Sequence, residues 1–258
     1  MNDGTVRYGA DGPIATVTFD RPRARNAMTW TMYEEFLDVL ENIGNDPDLR
    51  VLLLRGAGDQ AFVAGTDITQ FQDFTTGQEG VDYNARIDRV FVQLEGLRIP
   101  TIAVTRGAVV GGGLAIAASC DLRISADDAR FGVPVARTLG NLPSMATLTR
   151  LVALVGPART KEMLFTARLW QAEEALTAGL ITEAHAPEHL DARVAEICDV
   201  LIRRAPLTMA GVKEAVRRIV DGWTPTGEDL IREVYGSEDF REGRTAFVDK
   251  RSPTWRAR

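Results

Sequence analysis

The chain has 258 residues, and its 45% hydrophobic and 26% charged content is typical of a globular protein that buries a full core. A formal net charge of −6 without blocks of like charge excludes the clustered cations that bind nucleic acid or membrane surfaces. The N-terminus lacks the apolar core of a signal peptide, and the two cysteines have no metal-type spacing. We therefore expect a cytoplasmic protein with no nucleic-acid, membrane or metal partner.

Strand and helix periodicities alternate through the first two thirds of the chain. The segment 14–19 alternates apolar and polar residues and ends at a proline turn, which predicts a strand. Thr31 and Glu34 resemble a capping box in front of an apolar helical stripe. The further predicted elements are a strand at 51–54, a helix at 83–97, a strand at 101–105, a helix at 114–119 and a strand at 122–125.

The pattern changes near His189, after which helical segments dominate. We expect an α/β core of ββα-type or βαβ units with a largely parallel sheet over residues 1–188, followed by a helical C-terminal region over 189–258. The predicted C-terminal helices are 190–203, 207–220, 228–235 and 239–248.

Two glycine-containing junctions are candidates for ligand contact. Residues 61–67 follow a predicted strand, and Gly111-Gly112-Gly113 lies between a strand and a helix. Such junctions bring unpaired backbone N–H groups against a ligand, and two of them aimed at one point would polarise a carbonyl. The alternative for each segment alone is close packing of a helix on a strand. The P-loop pattern for phosphate is absent.

These segments resemble the signatures of the crotonase, or enoyl-CoA hydratase/isomerase, superfamily. The residues that carry the resemblance are 61–68, 107–114 and 120–124, and further landmarks follow in the same order along nearly the whole chain. The resemblance implies a spiral of ββα units with a helical C-terminal trimerisation region, in homotrimers or hexamers. It also implies an acyl-CoA thioester as substrate, with coenzyme A entering as part of the substrate and no separate cofactor.

Several site residues follow from the resemblance, position by position. The N–H groups of Thr66 and Gly112 would hold the thioester oxyanion. Ala64, Asp67 and Ile68 flank Thr66 and are substrate-binding candidates, although helix capping is the favoured role for Asp67. The positions that would contact the phosphates and adenine of CoA are Arg23, Arg25, Phe247 and Lys250, and the alternative for Arg23 is a solvated surface charge.

The sequence departs from this family at the acid and base positions. Classical hydratases hold a water between two glutamates, and here Ala115 and Val135 occupy those positions. Neither side chain can transfer a proton, and each such group typically supplies about 10²–10⁴-fold in rate. Classical hydration of a 2-enoyl-CoA is therefore not expected.

Other side chains are candidates for the missing roles. Asp88 falls where a related dehalogenase branch has a catalytic histidine, and Ser144 where some isomerases have an aspartate. Asp88 would act as a base, unless it belongs to a solvated or salt-bridged helix face; Ser144 would position a water or substrate group. Arg137 would hold a carboxylate on the acyl chain, or pair with Asp67 or Asp88.

The resemblance implies an acyl-CoA-processing enzyme that stabilises a thioester enolate. Isomerisation or decarboxylation of an acyl-CoA is the alternative chemistry, because neither requires the two glutamates. A non-catalytic acyl-CoA-binding protein is the alternative of a different class.

Overall fold

The computed structural model describes residues 4–71, 76–222, 233 and 237–258, apart from the side chains of Arg244, Phe247 and Val248. The predicted helix 228–235 lies outside the described residues except for position 233. The described residues form ten strands, which are β1 (Thr5–Asp11), β2 (Ile14–Asp20), β3 (Val51–Gly56), β4 (Ala61–Val63), β5 (Thr101–Thr105), β6 (Ala108–Val110), β7 (Leu122–Ala126), β8 (Arg130–Gly132), β9 (Trp170–Gln171) and β10 (Glu183–His185).

Helices cover both faces of the strands and dominate the C-terminal part of the chain. The α-helices are α1 (Trp30–Asn45), α2 (Gly77–Gly96), α3 (Gly112–Ala118), α4 (Met145–Thr166), α5 (Ala172–Thr177), α6 (Pro187–Ile202), α7 (Pro206–Val220) and α8 (Glu238–Asp249). Short 3-10 turns occupy Pro22–Ala24, Ile68–Phe71 and Pro134–Ala136. The helix α4 is interrupted at Gly156, whose backbone is not helical.

The strands form two sheets. The six-stranded sheet has the order β1-β2-β3-β5-β7-β10, and every pairing after the antiparallel β1–β2 pair is parallel. The four-stranded sheet has the order β4-β6-β8-β9, with an antiparallel pair only at β9. The predicted largely parallel α/β architecture is confirmed.

Alternate residues of the buried strands face two different cores. Leu52 and Leu54 of β3 join the large core, which includes Phe36 of α1 and Phe91 of α2. The opposite face of β3 packs with α6, which contributes Leu190, Val194 and Cys198 to a second core. A central parallel sheet covered on both sides explains why β3 and β5 read as continuous apolar runs.

The structure corrects the predicted start of α1. Thr29, with an extended backbone, is the N-cap, and its hydroxyl accepts a hydrogen bond of 3.2 Å from Met32 N. Thr31 already lies in the helix, so the predicted capping box of Thr31 and Glu34 is wrong. In the described part of the chain, no helix has the length and hydropathy needed to cross a bilayer.

Candidate active site

The loop after β4 presents the backbone N–H of Thr66. Gly65 adopts a left-handed conformation with φ of 99°, which an L side chain would oppose. Met28 N donates to Gly65 O, and Asp67 N donates to Met28 O, both at 2.9 Å. These bonds hold the residues on either side of Thr66, while the Thr66 N–H finds no acceptor among the described residues.

The junction between β6 and α3 presents a second such N–H group. Gly111 has φ of 55°, and Gly112 is the first residue of α3, where the N–H has no intrahelical partner. Within residues 4–71, 76–222 and 237–258, no acceptor for the Gly112 N–H is found. A methyl carbon built on Gly112 would lie 3.7 Å from Thr66 N, so the two N–H groups are neighbours.

Three hydroxyl groups form a cluster at Thr66, next to this pair of N–H groups. Thr66 Oγ1 lies 2.8 Å from the hydroxyl oxygen of Tyr33 and 3.0 Å from that of Tyr83. A methyl carbon on Gly112 would be only 2.9 Å from the Tyr33 hydroxyl. Tyr33 is 1% exposed, and burial raises its pKa far above the ordinary range. The pKa of Tyr83 is also raised, first by burial and then by the charge of Asp88.

Asp88 and Ser144 meet directly, although they are 56 residues apart in the chain. Ser144 Oγ donates a hydrogen bond of 2.6 Å to Asp88 Oδ1. Ser144 is also the N-cap of α4, and its Oγ accepts from Thr147 N at 3.1 Å. Asp88 forms no ion pair with the described residues, so a salt-bridged helix face does not describe it.

Ala115 and Val135, where the resemblance implies the two hydratase glutamates, both lie against apolar surroundings in the structure. Ala115 is buried in the first turns of α3, three residues after Gly112. Val135 is partly buried in a 3-10 turn and packs against the large core. The charge of Asp88 raises the pKa of Tyr83, whose hydroxyl oxygen lies 3.0 Å from Thr66 Oγ1.

Asp67 is engaged within the protein. Its carboxylate accepts from Thr69 N and Thr69 Oγ1, at 3.0 and 2.8 Å, at the start of the 3-10 turn. Its other oxygen pairs with Arg21 Nη1 at 2.7 Å. Burial acts to raise the pKa of Asp67, and the Thr69 and Arg21 hydrogen bonds outweigh it, so the pKa is lowered. The expected capping role agrees with this geometry.

The other candidate substrate-binding residues near Thr66, and Arg137, differ in their exposure to solvent. Ala64 is half-buried, with its N–H bonded to Arg25 O at 3.0 Å, and Ile68 is exposed. Arg137 ends the turn Pro134–Ala136 and is exposed. The described residues include no ion-pair partner for Arg137, so the expected pairing with Asp67 or Asp88 is not found.

The candidate CoA-binding cations lie on two segments. Arg23 and Arg25 are exposed on the loop after β2, which Asn26 fastens to the core through hydrogen bonds from its Nδ2 to Ala57 O and Ala61 O. Lys250 is exposed directly after α8. Phe247 lies in α8, and its side chain is outside the described residues.

Sequence reasoning missed the two tyrosines and Arg21. Tyr33 occupies an apolar-stripe position of α1, and Tyr83 lies on α2, so neither forms a recognisable motif with Thr66. The one available signal is general: a buried tyrosine requires a partner for its hydroxyl, and Thr66 is a polar residue inside an apolar, glycine-containing segment.

The comparisons with known proteins agree over almost the full length. The family model described as enoyl-CoA hydratase/isomerase matches residues 9–258. The short-chain-enoyl-CoA hydratase of Clostridium acetobutylicum is 36% identical over 255 residues, which cover 97% of each chain. The carnitinyl-CoA dehydratase of Citrobacter koseri is 34% identical and covers 98% of this chain and 99% of its own.

The solved structures support the same assignment. A structure titled as an enoyl-CoA hydratase/carnithine racemase from Magnetospirillum magneticum has a TM-score of 0.92 and 30% identity, covering 100% of this chain and 97% of that one. An enoyl-CoA hydratase from Bacillus anthracis has a TM-score of 0.87 and 29% identity, with full coverage of both chains. With a family model and relatives that span nearly all of its residues, this protein belongs to the enoyl-CoA hydratase/isomerase family of the crotonase superfamily.

Proposed function

We propose that the protein is an enzyme that binds an acyl-CoA thioester and forms its enolate, with the thioester oxygen held by the N–H groups of Thr66 and Gly112. The neighbouring, unpaired positions of these two donors support this role. Donors fixed before the reaction stabilise developing negative charge without reorganisation, and each is worth about 10²–10³-fold in rate.

Asp88 is the proton-transfer residue in this proposal. Its hydrogen bond with Ser144 is the observation that carries the assignment, because it fixes Oδ1 and leaves Oδ2 without a partner among the described residues. Asp88 Oδ2 would take a proton from the acyl chain next to the thioester and return it to another carbon. Ser144 orients this carboxylate and does not itself transfer the proton.

This arrangement favours double-bond isomerisation over hydration. Hydration activates a water with one group and protonates carbon with a second, and Ala115 and Val135 supply neither group. Isomerisation needs one carboxylate that moves a proton between two carbons of the same enolate. Because the relatives are named as hydratases and dehydratases, hydration is the reaction with which the rate of isomerisation should be compared.

Decarboxylation is the second candidate, favoured by Arg137. This guanidinium is exposed and has no acidic partner among the described residues, since Asp67 bonds Arg21 and Asp88 bonds Ser144. It would bind the carboxylate of a malonyl-type thioester before carbon dioxide leaves, and the same two N–H groups would stabilise the resulting enolate.

A panel of thioesters separates these activities. The purified protein is incubated with 3-enoyl-CoA, crotonyl-CoA and malonyl-type CoA esters, and the products are identified by mass spectrometry and by the absorbance of the conjugated thioester. We expect the double-bond shift to be the fastest reaction. Fast hydration of crotonyl-CoA would contradict the role given to Ala115 and Val135. Binding of every thioester without turnover would identify a non-catalytic acyl-CoA-binding protein.

The exposed cations would hold the CoA portion of the substrate. The loop that carries Arg23 and Arg25 lies beside the Thr66 loop, because Ala64 N bonds Arg25 O. Cations there would pair with CoA phosphates, as would Lys250 after α8. Charge reversal at Arg25 would raise the KM for acyl-CoA, and the rate at saturating substrate would stay closer to that of the wild type.

We propose in addition that the protein assembles as a homotrimer or hexamer. The helix α7 exposes Val212, Val216 and Ile219, which share one face by their helical spacing. Such a row is suited to contact with another copy of the chain. Light scattering after gel filtration measures the mass directly, and a monomer at micromolar concentration would reject the proposal.

A further inference from the structure

The Thr66 loop lies against the chain segment that carries Met28. Met28 N donates to Gly65 O, and Asp67 N donates to Met28 O, both at 2.9 Å. Met28 and Thr66 thereby form a parallel bridge, in which the Thr66 N–H points away from Met28. The direction of this N–H group therefore follows from the placement of Met28 and Asp67.

One guanidinium nitrogen holds both sides of this bridge. Arg21 Nη1 donates to Asp67 Oδ2 at 2.7 Å and to the carbonyl oxygen of Ala27 at 3.3 Å. The Arg21 and Asp67 side chains are 18% and 14% exposed, so water has little access to the ion pair. Its charges are therefore screened less than those of a surface pair.

The charge of Asp67 lies next to the proposed oxyanion site, because Asp67 directly follows Thr66. Burial acts to raise the pKa of Asp67, but the hydrogen bonds from Thr69 and Arg21 outweigh it, so the carboxylate is ionised at neutral pH. A negative charge at this position opposes the negative charge that forms on an enolate oxygen, unless a cation balances it.

Gln70 holds the same loop without a charge. Its Oε1 accepts from Trp30 N at 2.6 Å, and its Nε2 donates to Met28 O at 3.1 Å and to Asp67 O at 3.2 Å. The amide thus joins the start of α1 to both sides of the bridge. Loss of this amide would loosen the loop and leave the Arg21–Asp67 pair in place, so the effects of geometry and charge can be separated.

We propose that Arg21 is a positioning residue for the enolate-forming reaction, which acts through Asp67 and keeps the Thr66 N–H effective as an oxyanion donor. The guanidinium balances the Asp67 carboxylate, so the enolate oxygen meets an N–H group beside a neutral ion pair instead of a second negative charge. Arg21 itself does not contact the substrate. The inference rests on the proposed enolate-forming function.

Acetoacetyl-CoA is a suitable probe of the oxyanion site, because it enolises reversibly and its enolate absorbs in the ultraviolet. It is used as a bound ligand and not as a substrate. The apparent pKa of its enolisation is measured by titration on the wild type and on each variant. Arg21→Met should raise this pKa by about one unit, because the Asp67 charge is no longer balanced. The affinity for CoA without an acyl group should be unchanged.

Asp67→Asn tests the same charge with the opposite sign. The amide can still accept the hydrogen bonds from Thr69, and the Arg21 cation is then unbalanced. The pKa of the bound probe should therefore fall below its value on the wild type, whereas damage to the loop would raise it. Arg21→Met combined with Asp67→Asn removes both charges and should return the pKa to within about half a unit of the wild type.

Two further variants serve as comparisons. Gln70→Met loosens the loop and keeps the ion pair, so it should raise the pKa by less than Arg21→Met. Arg7→Met, at an exposed ion pair with Asp20, is the matched control and should give the wild-type pKa. Thermal unfolding shows that each variant is folded.

A wild-type pKa in Arg21→Met would overturn the proposal. So would a raised pKa in Asp67→Asn, or a double variant shifted as far as Arg21→Met, because the charge of Asp67 would then play no part. If the wild type leaves the pKa of acetoacetyl-CoA at its value in free solution, the enolate-forming function fails and this inference fails with it. A lowered pKa in the wild type together with an unshifted Arg21→Met rejects the inference alone.

Discussion

Arg150 and Glu95 form a two-pronged ion pair between α4 and α2, in which Arg150 Nε and Nη2 donate to the two carboxylate oxygens. The Asp88–Ser144 hydrogen bond joins the same two helices about two turns away. Both contacts therefore hold α2 against α4. The Arg150–Glu95 contact is a nearly buried ion pair, and the Asp88–Ser144 contact includes the proposed base.

Removing one partner of the Arg150–Glu95 ion pair should destabilise the protein. The Arg150 and Glu95 side chains are 9% and 20% exposed, so Arg150→Met leaves a carboxylate with little hydration. We expect the free energy of unfolding to fall by about 2–4 kcal/mol. Arg7→Met, at a pair in which Arg7 is 60% exposed, is the control and should cost at most about 1 kcal/mol. Urea unfolding measures both, and equal losses would mean that burial of the pair is unimportant.

Asp88→Asn should reduce turnover by about 10²–10⁴-fold, because the amide keeps the size of the side chain and cannot accept the proton. The affinity for CoA should not change. Asp82→Asn on the same helix is the control, since exposed Asp82 bonds only Gln78 among the described residues. Steady-state kinetics on the best thioester of the panel test this prediction. Wild-type turnover in Asp88→Asn would place the base elsewhere.

Gly112→Ala should impair turnover by about 10²-fold with a smaller effect on stability. The new methyl group would lie 2.9 Å from the Tyr33 hydroxyl and 3.3 Å from Thr66 Oγ1, so these two hydroxyl groups and the adjacent N–H must shift. Gly80→Ala in α2 meets no atom within 4 Å and should be as active as the wild type. Kinetics and thermal unfolding of the two variants separate the local effect from a general one.

Gly113→Ala should instead be a folding defect. A methyl carbon at this position would lie 1.9 Å from the carbonyl oxygen of Val63, which belongs to β4. Because both α3 and β4 are buried there, we expect a loss of more than about 3 kcal/mol. Gly80→Ala should leave the free energy of unfolding unchanged or raise it by up to about 1 kcal/mol. Chemical denaturation that found Gly113→Ala as stable as Gly80→Ala would contradict the close contact.

Glu183 should make stability depend on pH in the acid range. Hydrogen bonds from Arg193 lower the pKa of Glu183 to about 2, with His185 adding to them against the effect of burial. Because the pKa of Glu183 is lower in the folded than in the unfolded state, its ionised carboxylate stabilises the fold. This stabilisation is fully present above the ordinary glutamate pKa and is lost as the pH falls from there towards 2. We expect a loss of about 1–2 kcal/mol over this range, after allowance for solvent screening.

Glu183→Gln should remove most of this acid-range slope, because the amide does not titrate. The pair joins β10 to α6, so the effect measures how the helical C-terminal region is attached to the sheet. Unfolding free energies at a series of pH values provide the test. An unchanged slope in Glu183→Gln would assign the acid sensitivity to other carboxylates.

Local patterns in the sequence were sufficient for the elements with strong periodicity. β2, β3, β5 and β7 alternate or run apolar in the way that sheet burial requires, and all four strands are confirmed. β1 was not predicted, since Val6 is its one buried residue, and the short strands of the second sheet carry too few residues for a period. Thr29, and not Thr31, caps α1, because the chain leaves the preceding loop at Thr29 and is already helical from Trp30. Local spacing does not determine where that loop ends.

The α/β architecture and the two glycine junctions that carry Thr66 and Gly112 could be predicted from the amino-acid sequence. Both depend on backbone conformations that a few neighbouring residues impose. The side chains that meet at those junctions could not be predicted in this way, because the folded packing brings them together. Tyr33, Thr66 and Tyr83 come from three separate segments, and Asp88 reaches Ser144 through the packing of α2 on α4. Such contacts depend on long-range packing, which no local spacing in the chain encodes.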